Sequence, residues 1–492
     1  MKEKTTSARL GGGKAQANAD LLKNSEIRDG RFIRYYGKKE EIVIPDDVTV
    51  IADEAFANNH YLTKVVLGAH VSVIQPGAFR GCTRLHQITF PSGLGAIGAN
   101  AFYGCTSLTS VLLPRTVLSL DEGCFRNCSS LRHVVLSANI NHIGAYAFCD
   151  CESLEEITLP EPITAIHPAL FYNCRSLKEL VIPPNVRTVG RYAFGRCSSL
   201  RTVQMPDEIT YVGIGAFAEC STLRHLHMPA SIEFVADYTF SCCDELETVE
   251  LPAHIKYIGN SAFCACRKLT GLQLSDVLER IGHSAFFGCA ALETLMIPKA
   301  TQDVARAAFA HCASLKEVVV EAPLTEMEES VFEGCYALER ITLPESVEKI
   351  EASAFADCAS LQTISLPRTL CDVEQRAFAG CISLEAISLP AGVKTLGREA
   401  FAGCSALQTV ILPNDRVSIG KGVFDECTSL KTVVVSDAYR SMQAVRSKLG
   451  LAEEIETVYH SRLQYALLLA ELSDPNTDGE RKKEIESLLA NA

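Results

Sequence analysis

A phenylalanine recurs every 23 residues, seventeen times in unbroken register from Phe56 through Phe79, Phe102 and onward to Phe401 and Phe424. Self-similarity at a fixed period in this range is the mark of a solenoid, in which each repeat is one supersecondary unit that cannot bury its own apolar face. Other columns keep the same beat. Three residues after each Phe stands a Cys, from Cys82 to Cys427, with Asn59 in the first unit; six residues after stands a Leu, from Leu62 to Leu430. Aliphatics follow at nine and eleven, as in Val111 and Leu113, and Pro is the usual next residue. That alternation predicts a short strand with odd partners inward, ended by Pro because Pro cannot donate to a ladder.

Two more aliphatics lie eight and five residues before most Phe, such as Ile163 and Ile166, and Gly is commonest one step later, as at Gly98, Gly144 and Gly190. A Gly at that point suits a turn with positive φ or a close backbone approach. The Ala-Phe pair that follows reads as one turn of helix or 3₁₀ structure. Each unit then has roughly seven inward side chains and encloses them only by stacking, so stability resides between repeats. Seventeen coils at strand spacing give a curved rod on the order of 80 Å long.

The consensus, Leu-x-x-Ile-x-Leu-Pro-x-x-Val-x-x-Ile-Gly-x-x-Ala-Phe-x-Gly-Cys, resembles the BspA-like or Treponema-type leucine-rich repeat over about residues 31–436. The resemblance implies an α/β solenoid: a right-handed curved superhelix of about 17 short strand-turn-helix coils. It implies relatives that are often secreted or surface proteins and bind host matrix or other cells, and it supplies no catalytic residues. Around the repeats the sequence divides into a flexible tail over 1–25, a hairpin cap over 26–45 turning at Asp29-Gly30, the solenoid over 46–436, and a helical cap over 437–492. Within that cap, residues 438–449, 452–472 and 478–490 read as helices.

Composition narrows the function. The net charge of −13 falls mostly in the second half, −2 over residues 1–246 against −11 beyond, which excludes a phosphate-backbone partner because that wants a basic face. Gly11-Gly12-Gly13-Lys14 lacks the spacing and the Ser/Thr of a phosphate loop, and no dinucleotide, zinc-protease or nucleophile-elbow motif stands in a usable context. No cofactor is implied. The polar N-terminus has no apolar signal core and no stretch is long enough to insert in a membrane, so the expected compartment is cytoplasmic, with a secreted or surface location as the alternative that the resemblance raises. The Cys column reads as buried free thiols, since parallel side chains in a ladder point alongside one another, and the remaining cysteines form no CxxC pair.

Function is sought where repeats depart from consensus. Tyr211, Phe234 and Tyr257 fill the outward position six before Phe in three consecutive units, with Arg280 next; they form either a cross-strand ladder or a patch that touches a partner. Glu328, Glu351 and Glu374 replace the usual Gly in three others, and like charges at strand spacing repel by roughly 1 kcal/mol per pair even in water. Their column is either a solvated acidic face or a dock for a basic partner or a loosely held Ca²⁺. His225 and His227 share an outward face with Glu250 one unit on, a weak candidate metal set. The outward column of the first strand is apolar at Val66, Leu112, Val135, Val181, Ile411 and Val434 and polar at Gln204, His227, Glu250 and Gln273. The expected role is a non-enzymatic scaffold that binds a protein, or a glycan, across a broad face. An exported adhesin is the alternative in role, and a metalloprotein or enzyme the alternative in class.

Overall fold

The computed structural model describes residues 21–412, 416–438, 441–449, 451 and 453–459. Its coils fall into two compact units, Met1–Ile255 with Ser261–Gln273, and Lys256–Asn260 with Leu274–Ala492. The break in ladder quality has a local cause: Gly271, with no side chain to lay on the sheet, reduces its strand to one isolated bridge with Thr248.

Every coil contributes a two-residue strand before the Phe, and all but the coils of Leu269 and Leu361 contribute another of two to four residues after the conserved Leu. Both join parallel ladders with the equivalent residues 23 positions away. In the first unit Val134 pairs with Val111 and Ile157, and Leu120 with Ile97 and Ile143; in the second, Val318 pairs with Leu295 and Ile341, and Val373 with Ile350 and Leu396. Inward residues of both ladders are buried, and outward ones face solvent.

The segment around each Phe is not helical. It is a third inter-coil ribbon, in which successive amides alternate direction. The N–H groups of Asn100, Phe102 and Gly104 donate to the carbonyls of Glu122, Cys124 and Arg126 in the next coil at 2.8–2.9 Å, while those of Ala101, Tyr103 and Cys105 donate three residues back at 3.1–3.2 Å. The residues two before and two after Phe have positive φ in all seventeen coils, as at Asn100 (53°) and Gly104 (72°) or Ser353 (56°) and Asp357 (58°). A left-handed residue at both flanks breaks a right-handed helix before it completes a turn. The Gly four before Phe serves the other purpose open to it: a Cβ on Gly98 would stand 2.8 Å from the Pro76 nitrogen, so it permits close approach of neighbouring backbones, with no positive φ.

The phenylalanine rings stack face to face. In the first unit they run from Phe32 to Phe263 with centroids 4.7–5.8 Å apart, and in the second from Phe286 to Phe424 at 5.2–5.8 Å. Phe32 extends the stack from outside the 23-residue register. It sits on the second strand of an antiparallel hairpin, Ser25–Arg28 against Arg31–Tyr35, turned by Asp29 and Gly30 at φ 50° and 71°, and the hairpin continues in parallel onto Val50–Ile51. Of the expected tail, residues 1–20 lie outside the described residues, and Leu21 is buried.

The ladder cysteines also donate: within a unit the Sγ reaches the Phe carbonyl of the preceding coil at 3.1–3.4 Å, as from Cys82 to Phe56, Cys220 to Phe194 and Cys358 to Phe332. That carbonyl already accepts the N–H of the residue three on, Asn59 behind Phe56 and a Cys in the later coils, so one oxygen ties two coils together. Burial pushes the thiols up, Cys82, Cys197 and Cys335 to about 12, which leaves them un-ionised and inert.

At the C-terminal end, one described helix spans Met442–Leu449. The helix expected over 452–472 begins otherwise: Glu456–Tyr459 is a strand that adds in parallel to Thr432–Val435, because that edge presents unpaired backbone groups that a Thr-Val-Tyr run satisfies. The expected helix over 478–490 lies outside the described residues.

Two outcomes follow from this architecture. Ser353→Val should lower stability by about 1–2 kcal/mol while Ser353→Gly costs little, since only the former forces a β-branched residue to positive φ; thermal unfolding of both variants checks this. Maleimide added to folded protein should modify Cys242 first, then Cys264, Cys371 and Cys427, and leave the seventeen buried cysteines until denaturant is added, as counted by mass.

Candidate functional site

The outward columns are where a partner could be met, and the structure fills them unequally. In the first unit Tyr211 and Phe234 meet edge to face, centroids 6.1 Å apart at 62°, with Tyr211 exposed and Phe234 half-buried. In the second, the Tyr257 hydroxyl donates to Glu279 Oε2 at 2.8 Å, which raises its pKa, and Arg280 Nε pairs with Asp303 at 2.9 Å. The aromatic and cationic groups of this column are therefore occupied with neighbours of their own surface.

Glu328, Glu351 and Glu374 lie in adjacent coils of the second unit, all half-buried. Lys349 reaches two of them, Glu351 Oε1 at 2.7 Å and Glu374 Oε1 at 3.4 Å. Glu328 is left on the acid side: burial first, then Glu326, Glu351 and Asp303, push its carboxyl above the usual range. The acidic face expected from sequence thus carries its own cation, sited in the column where the Tyr and Phe stand earlier.

The histidines do not converge. His225 Nδ1 lies 2.8 Å from Thr248 Oγ1, whereas His227 bridges Glu250 Oε2 at 2.9 Å and Asp207 Oδ1 at 3.4 Å. Among the described residues no group of three or more His, Cys, Asp or Glu is placed to hold a metal ion, and of the set His225, His227 and Glu250 only His227 and Glu250 meet. Side chains one coil apart reach sideways to the nearest opposite charge and do not point to a common centre. His227 instead gains protons, held above its ordinary pKa chiefly by the Glu250 hydrogen bond. His167 goes the other way, lowered by burial and by His142, whose ring is 4.8 Å off edge-on.

A concavity lies on the long-strand face of the first unit, a groove of about 950 Å³. Its floor carries Val135, Thr158 and Val181 from three consecutive coils, and Leu112 continues the column; Leu112, Val135 and Val181 are 69%, 55% and 62% exposed. His133, Glu156, Glu179 and Thr202 line one side, and Pro160, Pro162, Pro183 and Pro184 the other. Strand pairing lapses within it: Glu156–Ile157 closes one three-stranded sheet and Glu179–Val181 opens the next. Two like carboxylates, Glu156 and Glu179, stand in equivalent positions on either side of the lapse. The sequence signal for the floor was the apolar outward column; the groove itself left none.

A family model for the BspA type leucine rich repeat region matches residues 25–154, 119–244, 233–362 and 325–445. The chain belongs to that family. Among solved structures, a leucine-rich repeat protein from Bacteroides ovatus is 23% identical, with 87% of this chain and 94% of that one covered and a TM-score of 0.51. A leucine rich cell surface protein from Faecalibacterium prausnitzii is 24% identical over 85% and 93%, with a TM-score of 0.32. Curated proteins yield no significant match. Leucine-rich-repeat proteins generally mediate protein-protein interaction, and their solenoid is typically a non-enzymatic scaffold. No helix of the described residues is long and apolar enough to cross a membrane.

The two perturbed histidines have opposite pH signatures. A raised His contributes stability that is fully present below its unfolded value near 6.5 and lost as pH rises through the folded one; a lowered His contributes above that value and loses it on acidification. His227→Gln should therefore lower the melting temperature more at pH 6 than at pH 8. His167→Gln should lower it less at pH 5 than at pH 7.

Proposed function

We propose that this protein is a non-enzymatic scaffold that binds a protein partner across the long-strand face of its first unit. The observation that carries this is the exposed apolar column of Leu112, Val135 and Val181 on the floor of the groove. Solvent-facing apolar side chains aligned in one column within four coils cost solubility and stabilise nothing in the free chain, which is the signature of a contact surface. Aliphatics exposed singly would need no explanation. These share one column, in one concavity.

In this reading Tyr211, Phe234, Tyr257, Arg280, Glu328, Glu351 and Glu374 have a supporting role, each satisfied by a neighbour or held in a solvated face. The second reading keeps Tyr211 and Phe234 as a secondary contact, favoured by the exposure of Tyr211. Where the partner is met, in the cytoplasm or at the cell surface as an adhesin would meet it, is read by fractionation of the native cells.

The test is affinity capture from the native organism with wild-type, Leu112→Asp/Val181→Asp and Tyr211→Ser/Phe234→Ser proteins, each checked by thermal melting. The groove double variant should melt within a few degrees of wild type, because both sites are exposed, and lose the specific partner. The aromatic variant should melt lower and keep it. Retention of the partner by the groove variant would sink the assignment of this face.

A further inference from the structure

The groove has a shape and a charge that narrow what fits it. Its floor is a single row of side chains, one per coil, apolar at Leu112, Val135 and Val181 and interrupted by Thr158, crossing the strands at a spacing of about 4.8 Å. A partner lying along that row must present an apolar side chain at nearly the same interval. An extended strand repeats on one face every two residues, at about 6.6 Å, and falls out of step within two coils. An α-helix presents residues three and four apart on one face, with a rise of about 5.4 Å per turn, and stays in step over the four coils from Leu112 to Val181. The row is long enough for about three turns.

The charge of the walls is one-sided. The lining holds three carboxylates, Glu156, Glu161 and Glu179, and neither Lys nor Arg. None of the three takes part in an ion pair among the described residues, although the next residue along from each strand carboxylate is engaged or basic: Glu155 pairs with Lys178 at 3.2 Å. Carboxylates left unpaired beside an apolar floor, with cations available one residue away and spent elsewhere, favour an incoming cation. The prolines of the far wall add apolar surface and no donors.

Resting on the scaffold reading, we infer that the occupant of this groove is an amphipathic α-helix of a partner protein, its apolar stripe on Leu112, Val135 and Val181 and a basic flank toward Glu156 and Glu179. Helix-in-groove recognition reads such anchors at one-turn intervals. The carboxylates then set orientation and discriminate against acidic helices, while the apolar row supplies most of the affinity.

The experiment uses the full chain and a synthetic peptide of about 18 residues, long enough to hold helix, with Leu on one face and Lys beside it. Two control peptides replace the Lys by Glu, or place a Pro at the centre. Fluorescence anisotropy should show the basic helix binding at least about tenfold more tightly than either control. Val135→Asp/Val181→Asp should abolish that binding, and Glu156→Lys/Glu179→Lys should invert the preference toward the acidic peptide, with both variants melting near wild type. Equal binding of the proline-broken peptide assigns the groove to an extended segment and overturns the inference. So does equal binding of the two charged helices, or a preference that survives both double variants. Self-association of the free chain that Val135→Asp/Val181→Asp abolishes gives the groove to a second copy, and also overturns it. If the Leu112→Asp/Val181→Asp capture test succeeds while these peptides are not distinguished, the helix falls and the scaffold stands; if capture itself is unaffected, the face is wrong.

Discussion

The Phe carbonyl is the point on which the structure turns. It accepts an amide from its own coil and a thiol from the next, directly behind a ring that stacks on its neighbours. No coil has a core of its own, so each depends on this contact being repeated in register. Register in turn needs a backbone that sends every second amide outward to the next coil. Two left-handed residues per coil achieve that, at a local conformational cost that the shared hydrogen bonds and ring burial offset. The consequence reaches the surface: side chains that face solvent are laid out in straight columns at one residue per coil, and whatever the protein recognises must be read from such columns.

The 23-residue beat made the solenoid, the two ladders and the inward set legible from sequence, because burial in a repeat is a column property and columns average over local noise. The helix in each coil was misjudged. Ala-Phe flanked by small residues has good local helix propensity, yet the column two after Phe reads Asn58, Gly81, Gly104, Asn127, Asp150 and Asn173, the residue types that accept positive φ. Read as a column, that enrichment was the available signal for a left-handed position. Phe32 was missed for a different reason, since it is 24 residues from Phe56 and enters the stack through a hairpin.

The candidate site was legible in part, and the limit is physical. Which residues point outward follows from alternation. Whether they are free does not, because long side chains choose partners by rotamer across neighbouring coils. Tyr257 turns to Glu279, Arg280 to Asp303, and Lys349 to two of the three glutamates, and each choice removes a residue from the surface that a partner could use. The groove was illegible because it spans a lapse in strand pairing at Glu156 and Glu179, which no single residue announces.

The contrast between the two acidic regions shows why the groove is the better candidate. Burial, then the like charges of Glu326, Glu351 and Asp303, raise the proton affinity of Glu328, and the nearest lysine is already engaged by Glu351 and Glu374. A basic partner there would compete with Lys349 and recover little. At Glu156 and Glu179 the carboxylates are exposed, unpaired and beside an apolar floor, so an incoming cation displaces only water while the floor buries apolar surface at about 25 cal/mol per Å². A repeat protein gains specificity only where several coils depart from consensus in the same direction. Here Leu112, Val135 and Val181 do so in apolarity along one column, and Glu156 and Glu179 in charge along the next.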